Sequence, residues 1–210
     1  MQVDYAPFVD RMINLYEGGY SWSPNDAGGP TKYGITCYDL AEEMGKPMNS
    51  MAAWAPIVQA MPLSTAEAIY QKKYATATCF LAMNAGKDCC VFDFDVNSGN
   101  KAIKVAQQIV GTTQDGVLGP ITFAVIQAYD PAQFIDDMCN ERMAFLESLS
   151  IWDEFKGGWT ARVTDLRAYC KNLIMPLGSR LEMARLMPPG SGRGKAYDAE
   201  MMARLGGARP

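Results

Sequence analysis

The chain has 210 residues, of which 49% are hydrophobic and 20% charged, a composition typical of a globular protein that can bury a core. The formal net charge is −4, which gives no reason to expect a nucleic-acid partner. The sequence contains no histidine, so Ser-His-Asp and Cys-His nucleophile systems and His-ligated zinc sites are excluded. Any hydrolytic chemistry is therefore expected to depend on carboxylates.

The first predicted element is an amphipathic helix that ends at Glu17. Gly18 and Gly19 supply the left-handed exit of that helix. Glu17 is expected to emerge beside the apolar face, where partial desolvation keeps a carboxyl group protonated near neutral pH, as a general acid requires. The apolar positions of the helix fall at helical spacing, and they are Phe8, Met12, Leu15 and Tyr16.

A loop of turn-forming residues, 23–30, follows and carries a second carboxylate, Asp26. Asp26 is expected to stay solvated and ionised, so the two carboxyl groups lie in unlike environments, the pattern of an acid and its ionised partner. Taken alone, each residue is better explained as a solvated glutamate or a turn aspartate, and their combination is what indicates a site. Thr31 offers a hydroxyl that can hold a water, and residues 31–36 are predicted to form a short strand.

This long motif resembles the glycoside hydrolase family 108 N-acetylmuramidases, a family that includes phage endolysins and bacterial proteins associated with secretion. The matching residues are Glu17-Gly18-Gly19-Tyr20 and Asp26-Ala27-Gly28-Gly29-Pro30-Thr31-Lys32-Tyr33-Gly34-Ile35-Thr36. The resemblance implies that Glu17 is the catalytic acid. The spacing of Glu17, Asp26 and Thr31 also resembles the catalytic triad of phage-type lysozymes, which implies catalytic roles for Asp26 and Thr31.

The rest of the first half is predicted as two helices separated by a looser segment. One helix spans 37–44 and is closed by Gly45, and residues 46–62 are interrupted by prolines. A capping box at 64–67 then begins a helix that carries Tyr70 and Tyr74. Residues 80–86 are a connector and the best candidate for a boundary.

The second half is predicted to be helical, with helices at 87–96, 131–149 and 159–174 and a further helix that has Pro120 near its start. It resembles the peptidoglycan-binding segment that accompanies family 108 hydrolases. The matching stretches are 92–99, 115–120 and 157–163. The basic tail beyond residue 175 has a flexible linker at 188–194, and it either contacts an anionic wall or membrane or has no role.

Four residues are candidates for substrate binding: Tyr20, Tyr33, Tyr74 and Asn97. Tyr74 either floors a sugar subsite or belongs to the core, and Asn97 either bonds an N-acetyl group or simply ends a helix. Arg162 either pairs with a buried acid or lines the cleft, and the structural pair is favoured. The six cysteines form no Cys-x-x-Cys pair, so buried reduced thiols are favoured over disulfides or a zinc site.

We therefore expect a mainly α (α+β) lysozyme-like fold with a small β-lobe after the first helix. The expected division is a catalytic half at 1–86, a helical peptidoglycan-binding half packed on it at 87–175, and a flexible basic tail at 176–210. No metal or organic cofactor is implied, and a monomer is expected. The N-terminus lacks the layout of a signal peptide, so the chain is expected to be made in the cytoplasm and to act on the cell wall.

The predicted activity is hydrolysis of the β-1,4 bond between N-acetylmuramic acid and N-acetylglucosamine in peptidoglycan, with an inverting outcome and carboxyl groups roughly 6.5–9.5 Å apart. Two other classes stay open. One is a non-hydrolytic peptidoglycan binder or secretion helper, and the other is a lytic transglycosylase, which typically uses a single acid.

Overall fold

A computed structural model describes residues 5–23, 28–176 and 179. The described part is mainly helical with one small antiparallel sheet, which confirms the expected α+β class. The α-helices within it are α1 (Tyr5–Met12), α2 (Cys37–Glu43), α3 (Met51–Ala60), α4 (Leu63–Tyr70), α5 (Lys87–Ser98), α6 (Lys101–Val110), α7 (Pro120–Ala128), α8 (Pro131–Glu147) and α9 (Trp152–Leu173). The strands are β1 (Thr31–Lys32) and β2 (Ile35–Thr36).

The first helix changes its winding before it ends. After α1 the chain continues as a π-helical turn over Ile13–Glu17, and Gly18 then leaves the helix with φ 59°. The wider turn alters the angular position of every later side chain, so Ile13 is buried while Leu15 is 39% exposed. The prediction of Leu15 as a core residue is therefore wrong, although the helix end at Glu17 lies where the glycines indicated.

The predicted strand over 31–36 is a hairpin. Thr31 pairs with Thr36 and Lys32 with Ile35, and the connecting residues Tyr33 and Gly34 both have positive φ, 54° and 74°. Positive φ at both central residues is the geometry of a tight hairpin turn whose twist matches that of its strands. The turn carries the chain back on itself within six residues and presents its tip to the end of the first helix.

A single cluster of buried residues extends through both halves of the described chain. Its centre is α5, which is buried from Lys87 to Asp95 and packs against α6, α8 and α9. Phe92 of this helix makes edge-on ring contacts with Phe8 of α1 and with Phe80, which follows α4. The division at residue 86 remains a prediction, and the tail predicted beyond 175 lies outside the described residues except for 176 and 179.

Three helix boundaries differ from the prediction. The looser segment contains α3, which keeps Pro56 in its interior because Trp54 and Val58 are buried against the core. The predicted capping box is wrong, since the N-cap of α4 is Pro62, two residues before Ser64, and it makes no side-chain hydrogen bond. Finally, α9 begins at Trp152, so that the glycine pair expected to precede it lies inside it.

An ion pair and a hydrogen bond to the same carboxylate hold the first helix and α9 side by side. Nη2 of Arg11 donates to both carboxylate oxygens of Asp165 at 2.7 and 2.6 Å, and the hydroxyl of Tyr16 donates to the same carboxylate at 2.5 Å.

Among the helices of the described residues, none has both the length and the apolar character that a membrane span requires.

Candidate active site

Glu17 lies at the end of the π-helical turn, where the first helix meets α9. Its side chain is 19% exposed, and its Oε1 accepts a hydrogen bond from Nη1 of Arg162 at 3.0 Å. The sequence predicted an apolar setting for this carboxyl group. The structure instead places it in an ion pair at the edge of the core, with a guanidinium holding one of its two oxygens.

Arg162 is itself held by a buried carboxylate. Asp93 on α5 accepts hydrogen bonds from Nε and Nη2 of Arg162, both at 3.0 Å, and from Nη1 of Arg142 at 2.6 Å. Burial by itself raises the pKa of Asp93, but the charges and hydrogen bonds of the two arginines outweigh burial and hold that pKa below its ordinary value. Arg162 therefore has its guanidinium fixed in orientation before it reaches Glu17.

The hairpin tip closes the other side of Glu17. A Cβ at Gly34 would lie 2.8 Å from Oε2 of Glu17 and 2.3 Å from the hydroxyl of Tyr70, so the turn reaches this position only with glycine. The hydroxyl of Tyr70 donates to the carbonyl of Tyr33 at 3.0 Å and fixes the turn. Burial and then the charge of Glu17 raise the pKa of Tyr70, as expected for a phenol next to a carboxylate.

Thr31 lies at the base of the same hairpin. Its backbone exchanges two hydrogen bonds with Ser21, both 2.9 Å, and its hydroxyl donates to the carbonyl of Gly29 at 3.1 Å. This pairing ties the strand to the segment that follows Glu17 and the half-buried Tyr20. Asp26 lies among residues 24–27, outside the described residues, so its separation from Glu17 stays a prediction.

Comparisons with known proteins found a family and a solved structure that this chain is similar to. The profile of Glycosyl hydrolase 108 matches residues 11–99, which include Glu17, the hairpin, Tyr70 and Asp93. A solved structure described as "Structure of Brucella abortus SagA" is 30% identical, superposes with a TM-score of 0.73, and the alignment covers 85% of this chain and 99% of that one. No curated protein sequence matches the chain.

The chain belongs to glycosyl hydrolase family 108. It is therefore a glycoside hydrolase with a lysozyme-like α+β fold, and its family points to peptidoglycan as the substrate. Within its described residues, no group of three or more Cys, Asp or Glu side chains is arranged to hold a metal ion.

Two residues of this family 108 hydrolase that were predicted to bind substrate, Tyr74 and Asn97, contact residues next to the Glu17–Arg162–Asp93 group. Tyr74, on a second π-helical turn at Gln71–Ala75, is partly buried, and its ring centroid is 5.6 Å from that of Tyr70. Asn97 is exposed at the end of α5, and its Oδ1 accepts a weak hydrogen bond from Arg142 at 3.3 Å. Both residues therefore connect to the carboxylate network, while their roles in substrate binding remain predictions.

Two buried carboxylates of α5, Asp93 and Asp95, were not singled out from the sequence. Asp93 was part of a matching motif, but nothing in its local pattern revealed that it orients Arg162. Asp95, two residues later, is 6% exposed, and burial raises its pKa to about 6. Burial chiefly raises the pKa of Tyr74, the charge of Lys73 opposes this increase, and the charges of Asp39, Asp95 and Glu17 add to it.

Proposed function

We propose that this family 108 hydrolase is an N-acetylmuramidase that cuts the β-1,4 bond between N-acetylmuramic acid and N-acetylglucosamine. The observation that supports the proposal is the environment of Glu17. One oxygen of its carboxyl group faces a fixed guanidinium, and the other faces the hairpin tip. A carboxyl group with two such different oxygens is suited to deliver one proton in one direction.

In the proposed reaction, the carboxyl group of Glu17 carries the proton and donates it to the glycosidic oxygen. Oε1 stays hydrogen-bonded to Arg162 throughout. As the bond breaks, Glu17 becomes a carboxylate, and the guanidinium stabilises the negative charge that develops. Because Asp93 fixes Arg162 in advance, this stabilisation needs no reorganisation at the moment of reaction.

The water that attacks the sugar is assigned to Asp26 and Thr31. Asp26 acts as the general base and Thr31 helps to place the water, which gives an inverting outcome if the two carboxyl groups are roughly 6.5–9.5 Å apart. Tyr20, Tyr33, Tyr74 and Asn97 are proposed to contact the sugars on either side of the bond. Action on the cell wall as an endolysin is part of the same proposal.

Product analysis on purified peptidoglycan tests the assignment. The wild type is expected to release fragments with reducing N-acetylmuramic acid ends, and Glu17→Gln to release about 10²–10⁴ times less, as expected when a general acid is removed. Glu147→Gln, at an exposed position on α8, is the matched control and should behave as wild type. Reducing N-acetylglucosamine ends would reject the bond, and anhydro-muramic ends would reject hydrolysis in favour of transglycosylation.

A further inference from the structure

Three aromatic side chains lie in the first turns of α9, where Phe155 is exposed and Trp152 and Trp159 are half-buried and pack against the edge of the core. We call Trp152, Phe155 and Trp159 the aromatic ledge. The rings of Phe155 and Trp159 are stacked, with centroids 5.4 Å apart and planes at 23°, and Trp152 lies 6.2 Å from Trp159. Phe155 is 44% exposed, although a phenylalanine gains free energy when it is buried. An exposed apolar surface of this kind commonly marks a binding site.

Two consecutive glycines without side chains lie next to the aromatic ledge on α9. Gly157 and Gly158 are both interior residues of α9, where glycine is unfavourable. A Cβ built at either position would meet nothing within 4 Å. The glycines are therefore not required by packing against the rest of the described chain, and they leave the helix backbone open to a ligand.

The ledge and Gly158 share one face of the helix with Arg162. Trp159, Gly158 and Phe155 precede Arg162 by three, four and seven residues, the spacings that place helical residues on the same side. After Arg162 this face is buried at Leu166. Going from Leu166 towards the start of α9, this face is first buried and then contacts Glu17 through Arg162. Over the next two turns, about 10 Å along the axis, it is half-buried at Trp159 and exposed at Gly158 and Phe155.

We propose that the aromatic ledge and Gly158 bind N-acetylhexosamine units of the glycan strand, on one side of the bond held at Glu17. The inference rests on the proposed function, because it extends that site along the polymer it would cut. Sugar rings have apolar faces that pack flat on aromatic rings, and their polar edges stay in water. The stacked pair offers such a surface, and the absent side chain at Gly158 leaves room for a sugar to lie against the helix.

Binding of soluble glycan strands, freed of their stem peptides, tests the proposal in a Glu17→Gln background that cannot cut them. Gly158→Leu fills the bare face, and Gly157→Leu is the matched control, because residue 157 points away from that face and also has open space. Both changes raise helix propensity, so neither is expected to unfold α9. Gly158→Leu and Phe155→Ala should each raise the Kd for strands by roughly tenfold, and Gly157→Leu should leave it unchanged.

A disaccharide that fills only the cleavage position should bind all four proteins equally. Equal strand affinities for Gly158→Leu, Phe155→Ala and Gly157→Leu would overturn the proposal. The proposal would also be overturned if light scattering showed a lower molecular mass for Phe155→Ala than for the parent protein while the strand affinity stayed the same. The aromatic ledge would then be a contact between two copies of the chain. The product analysis tests which bond is cut, whereas this assay measures binding by a variant that cannot cut. One of the two proposals can therefore fail without the other.

Discussion

Nη1 of Arg162 lies 3.0 Å from Oε1 of Glu17, although 145 residues separate the two in the sequence. The contact joins the first helix to the last one and brings the second half of the chain into the site. The profile of the family ends at residue 99, before Arg162. The environment of the assigned acid is therefore completed by a residue outside the matched segment.

Replacing Arg162 with lysine should lower the rate of hydrolysis by roughly 100-fold, the cost of a small misplacement of a catalytic group. A lysine has one ammonium group, so it cannot hold both oxygens of Asp93 and reach Glu17 at the same time. Since the substrate contacts remain, kcat should fall while KM changes little. Steady-state kinetics on soluble glycan strands over a range of pH measures both quantities.

Arg167→Lys is the control on the same helix, because Arg167 pairs with Asp136 and Asn140 at the surface. It should retain wild-type rates. If Arg162→Lys also keeps the wild-type kcat and pH profile, Arg162 has only a structural role, and the assigned proton delivery loses its supporting contact.

Asp93→Asn should destabilise the fold by about 3–5 kcal/mol, the usual cost of breaking a buried charge pair. The carboxylate accepts hydrogen bonds from two arginines whose side chains are 1% and 8% exposed, and a neutral amide would leave Arg142 without its carboxylate partner and Arg162 with Glu17 alone. Asp136→Asn is the matched control. Asp136 also pairs with two cations, Arg167 and Lys171, but it is 31% exposed, so its loss should cost less than about 1 kcal/mol. Unfolding in denaturant compares the two variants. Similar decreases in the free energy of unfolding would mean that the two buried arginines do not depend on Asp93 for their stability.

Local signals were sufficient where one residue type determines one backbone conformation. Gly18 ends the first helix, and Thr36 caps α2 through a reciprocal pair of hydrogen bonds with Asp39. These signals placed Glu17 at the end of a helix and a short strand directly before the next helix, although the hairpin formed by residues 31–36 was not predicted. The prediction that the acid and the β-lobe lie close together in sequence therefore needed no tertiary information.

The signals failed where packing overrides local preference. Pro56 predicted an interruption, but the burial of Trp54 and Val58 outweighs the lost backbone hydrogen bond in α3. Gly158 suggested a helix start, yet it lies inside α9. The partner of Glu17 could not be deduced at all, because pairing across 145 residues depends on how α1 and α9 pack. Arg162 pairs with the buried acid Asp93, which is the favoured alternative, and it also contacts Glu17.

Gly34→Ala should abolish most activity, because its Cβ would be 2.8 Å from Oε2 of Glu17 and must displace the carboxyl group or the hairpin. The left-handed backbone, φ 74°, also costs a residue other than glycine about 1–2 kcal/mol. Gly45→Ala separates the two effects, since Gly45 has φ 61° and nothing within 4 Å of its Cβ position. Thermal unfolding should show a loss of stability for both variants, larger for Gly34→Ala because its Cβ also collides with Tyr70 and Glu17, while only Gly34→Ala should lose the ability to lyse peptidoglycan. Normal lysis by Gly34→Ala would mean that the hairpin tip does not confine Glu17.

The pH dependence of stability should contain a contribution from Asp95. Burial raises its pKa from 3.8 to about 6 in the folded protein, whereas in the unfolded chain it should titrate near the ordinary value. Between those two values the folded state binds more protons, so the free energy of unfolding falls as pH rises from about 4 to 6 and then stays lower. A difference of this size corresponds to on the order of 2–3 kcal/mol.

Asp95→Asn removes the charge while it keeps the shape, so it should flatten this part of the profile and make the protein more stable than wild type at pH 7. The measurement is the free energy of unfolding in denaturant at a series of pH values between 4 and 8. Asp153→Asn, at a side chain that is 91% exposed, should leave the profile unchanged. An equal pH dependence in wild type and Asp95→Asn would show that Asp95 stays ionised in the fold, with a compensating partner that keeps a buried charge stable beside Tyr74.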